Sequence, residues 1–237
     1  MRGVSALTHF PPGLLPLIAS FLGHDWIVVA GGRRGLVVSS AVCYSLNTDS
    51  WSSTDNIASM SIGRHSAATV AIGGKMMVFG GIDDEHDLAT CDAFEPATNT
   101  WTTLPPMSTP RACASAVAWQ GRAFVFGGWS GLAGVSSVEC FDPKLNRWSN
   151  VAPMGTARYN AAAVAVHGHG LLVMGGFSQD FGAAMESVEL YDPVANRWTT
   201  SSWHLPKPLC DFAAQCIDGV LYIIGGMAEG CEYVSEC

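Results

Sequence analysis

The sequence predicts an all-β protein built from repeated sheets, because three signals recur along it at one period. The first signal is a pair of adjacent glycines, the second is an aromatic residue, and the third is a tryptophan seven residues after it. Internal repeats of this length are typical of proteins that stack similar sheets side by side. The glycine pairs, spaced 47 to 50 residues apart, are Gly31-Gly32, Gly80-Gly81, Gly127-Gly128, Gly175-Gly176 and Gly225-Gly226.

Each glycine pair ends a short apolar run. Runs of this length and composition predict strands that are buried on both faces. Glycine at the end of such a strand allows a close approach of neighbouring backbone. The runs lie at residues 26–30, 76–79, 123–126, 171–174 and 221–224.

The aromatic residue and the tryptophan predict a hairpin in every period. Between them lie turn residues, clearest in the segments 142–146 and 192–196, which both begin Asp-Pro and end in Asn. Proline presets one backbone angle and asparagine tolerates left-handed geometry, so these segments are expected at hairpin tips. The aromatic–tryptophan pairs are Tyr44 and Trp51, Phe94 and Trp101, Phe141 and Trp148, and Tyr191 and Trp198.

An arginine follows three of the tryptophans and starts a stretch of small residues that predicts one more strand. These arginines are Arg64, Arg111 and Arg158, and the fourth interval has Leu209 instead. One period therefore contains four antiparallel strands, which is one blade of a β-propeller. A single blade has two exposed faces and needs neighbours to bury them.

The pattern of an apolar run into Gly-Gly, an aromatic residue and a tryptophan at fixed spacing resembles the kelch repeat. The resemblance covers about residues 26–237 and implies a kelch β-propeller with about five blades represented, three complete and two partial. The first copy is expected to lack a first strand before Trp26, and the last copy ends inside its third strand at Cys237. Kelch propellers usually have six or seven blades, so a fragment of a longer protein is one interpretation. A five-bladed ring closed by its terminal strands is the other.

Residues 1–25 form an apolar N-terminal segment outside the repeats, and we consider three interpretations of it. The first is a short apolar helix packed on the propeller, or mistranslated upstream sequence. The second is a remnant of an F-box, which residues 10–23 resemble in their proline, paired leucines and Ser-Phe-Leu. The third is a signal peptide, which the prolines and the lack of a clear cleavage site oppose.

Composition excludes several classes of function. The net charge of −8 opposes nucleic-acid binding, which needs clustered Lys and Arg. No apolar run is long enough for a membrane helix. None of the eight cysteines forms a Cys-x-x-Cys motif, so we expect reduced thiols in a cytoplasmic protein. The sequence indicates no metal and no cofactor.

Some kelch propellers are enzymes, and two such classes serve as alternatives. A galactose-oxidase-like enzyme needs two tyrosines, two histidines and a cysteine that converge on one metal. Here the spaced pair His167 and His169 falls on a hairpin tip, where a polar turn is the better interpretation. A sialate-epimerase-like enzyme needs paired charged groups at the channel, which this sequence lacks. We therefore expect no catalysis, and a secreted kelch enzyme of either class is an alternative.

The resemblance implies a protein-interaction module, with substrate recognition for a ubiquitin ligase as the first hypothesis. Its partners would then include a Skp-type adaptor and a cullin. An actin-binding, cytoskeletal or other scaffold kelch protein is the alternative. In kelch substrate receptors one face carries the loops after the double glycine and before the first strand. Carried over by position, the binding-face candidates are Arg33, Arg34, His65, Ser66, Asp83, Trp129, Ser130, Tyr159, Asn160, Phe177, Ser178 and Asp211.

Overall fold

The computed structural model describes residues 18–22, 26–52, 56–178 and 183–228, and these form an all-β structure. Four antiparallel sheets of four strands and one sheet of two strands follow one another along the chain. The first sheet contains β1 (Ile18–Leu22), β2 (Trp26–Ala30), β5 (Ala41–Ser45) and β6 (Ser50–Trp51), with a two-stranded ribbon of β3 (Arg33–Arg34) and β4 (Leu36–Val37) after β2.

The remaining sheets repeat this order of strands without the ribbon. The second sheet contains β7 (Ala68–Ile72), β8 (Lys75–Phe79), β9 (Cys91–Glu95) and β10 (Thr100–Leu104). The third contains β11 (Ser115–Trp119), β12 (Arg122–Phe126), β13 (Val138–Asp142) and β14 (Arg147–Val151). The fourth contains β15 (Ala162–Val166), β16 (Gly170–Met174), β17 (Val188–Asp192) and β18 (Arg197–Thr200), and the last contains β19 (Ala213–Ile217) and β20 (Val220–Ile224).

The all-β fold and the four-stranded repeat are confirmed, but the prediction of three complete copies is wrong. The first copy has a first strand, β1, which pairs antiparallel with β2 from Ile18 opposite Ala30 to Leu22 opposite Trp26. A helix is therefore wrong for residues 18–22, whose pairing along the whole strand satisfies the backbone of both partners. The sequence signal failed because no arginine precedes this strand and prolines lie close to it. The rest of the predicted N-terminal segment, residues 1–17 and 23–25, lies outside the described residues, and so does the end of the last copy.

The seven-residue spacing of the aromatic residue and the tryptophan has a direct structural cause. In each complete sheet the two residues lie opposite each other on the third and fourth strands, as Phe141 lies opposite Trp148. Their ring centroids are 5.0 Å apart, a distance at which aromatic pairs attract beyond simple area burial. The indole of Trp148 also donates to the carbonyl of Pro105 in the preceding sheet at 2.8 Å. The tryptophan thus connects its own hairpin to the neighbouring blade.

The hydrophobic core lies between consecutive sheets rather than within one of them. Each of four core clusters combines residues of two neighbours, such as Val78 and Phe94 with Val28 and Cys43. The first strands lie beside one another in chain order, β1 against β7, β7 against β11, β11 against β15 and β15 against β19. They therefore form the innermost layer of the propeller, and their ends define its two faces.

The double glycines allow successive sheets to touch through their backbones. Gly127 has a φ of 58°, and a Cβ atom built on it would lie 2.2 Å from the carbonyl oxygen of Arg158. Its neighbour Gly128 donates its N–H to that same carbonyl at 2.9 Å. Any side chain at Gly127 would therefore separate the third sheet from the start of the fourth.

Each repeat arginine connects two sheets while its guanidinium is fully buried. The backbone N–H of Arg111 donates to Leu88 of the second sheet at 2.9 Å. Its side chain donates to the carbonyl of Gly127 at 2.7 Å and to the carboxylate of Glu139 at 3.0 Å in the third sheet. Both residues of the ion pair are 0–1% exposed. The same arrangement recurs for Arg64 with Asp92 and for Arg158 with Glu189.

Candidate protein-binding face

One face of the propeller carries the loops that follow the double glycines, and we refer to it as the loop face. Here the residue after each repeat arginine, or after Leu209 in the last sheet, pairs with the residue after the glycines of its own sheet. Tyr159 and Phe177 exchange backbone hydrogen bonds of 3.2 and 2.9 Å. His65 with Ile82, Ala112 with Trp129, and Cys210 with Met227 form the corresponding bridges. The two loop sets are therefore held together in every sheet from the second onward.

Four residues form a hydrogen-bonded row across this face, which we call the polar row: Ser66, Cys113, Asn160 and Asp211. The amide of Cys113 donates to the carbonyl of Ser66 at 2.8 Å, Asn160 to Cys113 at 2.9 Å, and Asp211 to Asn160 at 3.0 Å. All four have φ between 53° and 54°, a left-handed conformation that is uncommon outside glycine. Because each lies two residues before the first strand of its sheet, the row borders the innermost strands of the second to fifth sheets.

The side chains of the polar row also interact. The amide of Asn160 donates to the carboxylate of Asp211 at 3.0 Å. Ser66 lies 2.9 Å from Nδ1 of His65. Desolvation raises the pKa of Asp211, and the hydrogen bond from Asn160 acts in the opposite direction but is the smaller effect. Asp211 as a whole residue is exposed. Burial raises the pKa of the Cys113 thiol to about 11, so this thiol is neutral and weakly nucleophilic near pH 7.

Beside the polar row lies an aromatic cluster of Trp129, Tyr159 and Phe177. The rings of Trp129 and Tyr159 meet edge to face with centroids 5.3 Å apart, and Tyr159 contacts Phe177 at 5.4 Å. Tyr159 is 7% exposed, whereas Trp129 and Phe177 are half-buried and keep part of their rings at the surface. Tryptophan and tyrosine are enriched among the residues that dominate protein interfaces, which makes this cluster a candidate contact area.

The loop face carries charges of both signs on adjacent loops of the first and second sheets. The exposed Arg33 lies on the first ribbon, next to the acidic loop of the second sheet, where Asp84 accepts a hydrogen bond from the amide of Val37. In that acidic loop Asp83 accepts from the amides of Glu85 and His86 at 2.8 and 2.7 Å, and these donors lower its pKa. Desolvation lowers the pKa of His65, and the nearby Arg33 charge acts in the same direction.

All twelve residues predicted for the binding face lie in the two loop sets. The bridges and hydrogen bonds above bring together His65, Ser66, Trp129, Tyr159, Asn160, Phe177 and Asp211. Arg33 and Asp83 lie on adjacent loops of the first and second sheets, and Ser130 and Ser178 follow the bridging aromatic residues. Arg34 lies in β3.

Cys113 and Leu132 are among the residues of this face that were not predicted from the sequence. Cys113 occupies the polar row but was not predicted, because a cysteine among small apolar residues indicates a core position; its place two residues after Arg111 was the usable signal. Leu132 is 93% exposed at the loop that follows Gly127-Gly128. Its position in that loop was visible in the sequence, but its exposure was not.

Comparison with known proteins agrees with the architecture. Residues 18–226 match the family described as the KLHDC2/KLHL20/DRC7 Kelch-repeats domain. The chain belongs to this kelch family. No curated protein matches it, whereas 271 chains of solved structures do. One of them, described as "Structure of YjhT", has a TM-score of 0.83 and 17% sequence identity, over 96% of this chain and 81% of that chain. At this identity the similarity concerns the fold.

The kelch strand β1 also accounts for where the family match begins. The match starts at residue 18, which is the first residue of β1. The family match and strand β1 therefore both include residues 18–22, which lie within the N-terminal segment expected from the sequence. Part of the F-box-like stretch, residues 18–22, lies within this strand of the kelch sheet.

The spaced histidines His167 and His169 lie in the hairpin between β15 and β16, at the face opposite the loop face. Both are exposed, and Nδ1 of His169 lies 3.1 Å from the carbonyl of His167. Among the described residues no group of three or more His, Cys, Asp and Glu side chains could hold a metal ion. No helix in the described part of the chain is long and apolar enough to cross a membrane.

Proposed function

We propose that the loop face of this kelch propeller binds a segment of another protein, and that the chain recognises substrates for a ubiquitin ligase. The observation that carries the proposal is the aromatic cluster of Trp129, Tyr159 and Phe177 beside the polar row. An apolar anchor next to hydrogen-bonding groups is the usual composition of a binding hot spot. The membership in a kelch family supports the same conclusion.

The loop face offers a partner three kinds of contact. Trp129 and Phe177 provide apolar area, and the exposed Leu132 extends it. The carboxylate of Asp211 and the amide of Asn160 provide hydrogen bonds. Arg33 and the acidic loop provide charges of both signs at the edge, where they affect the association rate and the choice of partner more than affinity.

The protein-binding part of the proposal is tested by affinity purification and mass spectrometry from native cells with matched leucine variants. Leu132→Asp alters the loop face, whereas Leu145→Asp alters the opposite face of the same sheet; the two leucines are 93% and 59% exposed. We expect the wild-type protein and Leu145→Asp to recover the same partners and Leu132→Asp to lose them. Equal recovery by both variants would contradict binding through the loop face.

The ligase part of the proposal needs a separate comparison. Deletion of residues 1–17 removes most of the F-box-like segment and preserves β1, whereas deletion of residues 1–25 would remove a strand of the first sheet. We expect the full chain to recover a Skp-type adaptor and a cullin, and the deletion to lose both but keep its substrates. Recovery of loop-face partners without any ligase component in either sample would favour a scaffold function instead.

A further inference from the structure

The face opposite the loop face carries a groove between the second and third sheets, which we call the β-hairpin groove. Its volume is about 500 Å³, and its borders are hairpin turns of both sheets. This volume is in the range of ligand-binding clefts for small molecules. The half-buried Ile72 and Leu104 provide accessible apolar surface in the groove, and the buried Met77, Ala93 and Phe141 lie behind it.

The groove is wide because two of its apolar residues are smaller than their counterparts in the next repeat. Ile72 ends the first strand of the second sheet, and the corresponding residue of the third sheet is Trp119. Met77 corresponds in the same way to Phe124. The groove between the third and fourth sheets, which Trp119 and Phe124 line, has a volume of only about 170 Å³.

A proline leaves a polar side chain without its usual partner at this groove. In the second sheet the turn residue Asn99 accepts a hydrogen bond from the amide of Ala58 at 2.9 Å. In the fourth sheet Asn196 accepts from the amide of Ala152 at 2.8 Å. The third sheet has Asn146 at this position and Pro105 opposite it, and proline has no N–H to donate. Asn146 lines the groove, and its side chain has no hydrogen bond within the described residues.

The charge of the β-hairpin groove is positive although the chain as a whole carries −8. Lys75 and Lys144 line it, and its lining contains no carboxylate. Lys75 pairs with Glu95 at 3.0 Å, whereas the exposed Lys144 has no ion pair among the described residues. By contrast, the groove of about 480 Å³ between the first and second sheets is lined by Glu95 and by no lysine or arginine.

We propose that the β-hairpin groove binds a small amphipathic monocarboxylate. Its apolar body would lie on Ile72 and Leu104, in front of the buried Met77, and its carboxylate would accept hydrogen bonds from Lys144 and the Asn146 amide. An anion is favoured over a neutral or cationic ligand because Lys144 is unpaired and a carboxylate accepts from ammonium and amide donors. This site is separate from the loop face and does not depend on partner binding there.

The test is a titration of the ¹³C-methyl-labelled full chain with octanoate, followed through the NMR signals of the Ile72 and Met77 methyl groups. We expect saturable shifts of both signals, and at least tenfold weaker binding of 1-octanol, which has the same apolar body without the charge. Absence of saturable shifts at these methyl groups would overturn the proposal. Equal affinity for octanoate and octanol would overturn its anionic part.

Three variants locate the site. Ile72→Trp copies Trp119 of the next sheet, fills the groove and should abolish octanoate binding. Lys144→Glu should weaken binding about tenfold, while Arg197→Glu, which makes the same charge change outside the groove lining, should leave it unchanged. An equal loss of octanoate affinity in Lys144→Glu and Arg197→Glu would show that binding depends on the net charge of the protein, and would contradict a specific site at the groove. The methyl spectrum of each variant shows directly whether it is folded.

Discussion

At the scale of single residues, the buried ion pairs show how the repeat can vary without losing its fold. The second, third and fourth sheets each bury an arginine with a carboxylate, as in Arg111 and Glu139. In the first sheet Val42 occupies the carboxylate position, and in the last sheet Leu209, 5% exposed, occupies the arginine position. An apolar residue thus occupies one of the two positions of the pair in each of these outer sheets.

We expect Arg111→Leu alone to lower the free energy of unfolding by about 3–5 kcal/mol, because Glu139 then stays buried without its cation. The double variant Arg111→Leu/Glu139→Val should recover roughly half of this loss or more, because neither charge remains in the interior. Urea unfolding of both variants gives the comparison. A double variant less stable than the single one would mean that the hydrogen bonds that Glu139 accepts from the amides of Ser108 and Thr109 matter more than its charge.

The buried thiols predict a loss of stability at alkaline pH. Burial raises the pKa of Cys91 from 9.0 to about 12. Between these values the unfolded chain releases the thiol proton and the folded chain keeps it, so stability falls as the pH rises, by up to about 1.4 kcal/mol per pH unit. Cys91→Val removes this group and introduces the residue found at the corresponding positions Val138 and Val188. The measurement is the free energy of unfolding by denaturant, for the reduced wild type and Cys91→Val, from pH 8 to 11. Above pH 9 the wild type should lose stability relative to Cys91→Val. A constant difference between the two proteins over this pH range would contradict the effect.

At the scale of structural elements, the glycine pairs are needed mainly because the backbone of the next sheet lies too close to leave room for a side chain. The positive φ that glycine allows is the smaller reason. Gly121 in a hairpin turn and Gly127 at a strand end both have positive φ, 75° and 58°. A Cβ atom at Gly121 would meet nothing within 4 Å, whereas one at Gly127 would collide with the carbonyl of Arg158. The recurring glycine pair therefore marks the places where the backbones of two neighbouring sheets are in contact.

We expect Gly121→Ala to cost about 1–2 kcal/mol, the strain of a left-handed alanine. Gly127→Ala should cost clearly more, because it adds a backbone collision to a similar strain. Unfolding midpoints of the two variants test the difference. Similar losses of stability in the two variants would show that the third and fourth sheets can move apart at Gly127 without a loss of free energy.

At the scale of the whole molecule, stacking decides which apolar residues are buried. Met174 and Ile224 end the second strands of the fourth and fifth sheets and face in corresponding directions. Met174 is 0% exposed beneath the fifth sheet, and Ile224 is 55% exposed. Tyr222, Val220 and Ile217 of the last sheet are exposed to a similar degree. Burial of this face thus depends on a neighbouring sheet, and not on the apolar character of its strands.

We expect Met174→Asp to destabilise the protein by more than about 4 kcal/mol, because it buries an unpaired charge between two sheets. Ile224→Asp should cost about 1 kcal/mol or less, since its side chain stays in water and only strand propensity is lost. Thermal unfolding compares them. A large loss in Ile224→Asp would mean that something covers this face in solution.

The sequence alone determined the repeat, the four-stranded sheets and the two loop sets of the candidate face. These follow from local rules: strand period, turn chemistry at segments such as 142–146, and aromatic residues seven positions from a tryptophan. The tertiary structure decided the rest. It placed Ile18–Leu22 in the first sheet, paired Arg111 with Glu139 across 28 positions, brought Cys113 into the polar row and left Ile224 exposed. Each of these depends on which chain segment lies alongside another, and the composition of a single segment does not encode its neighbour.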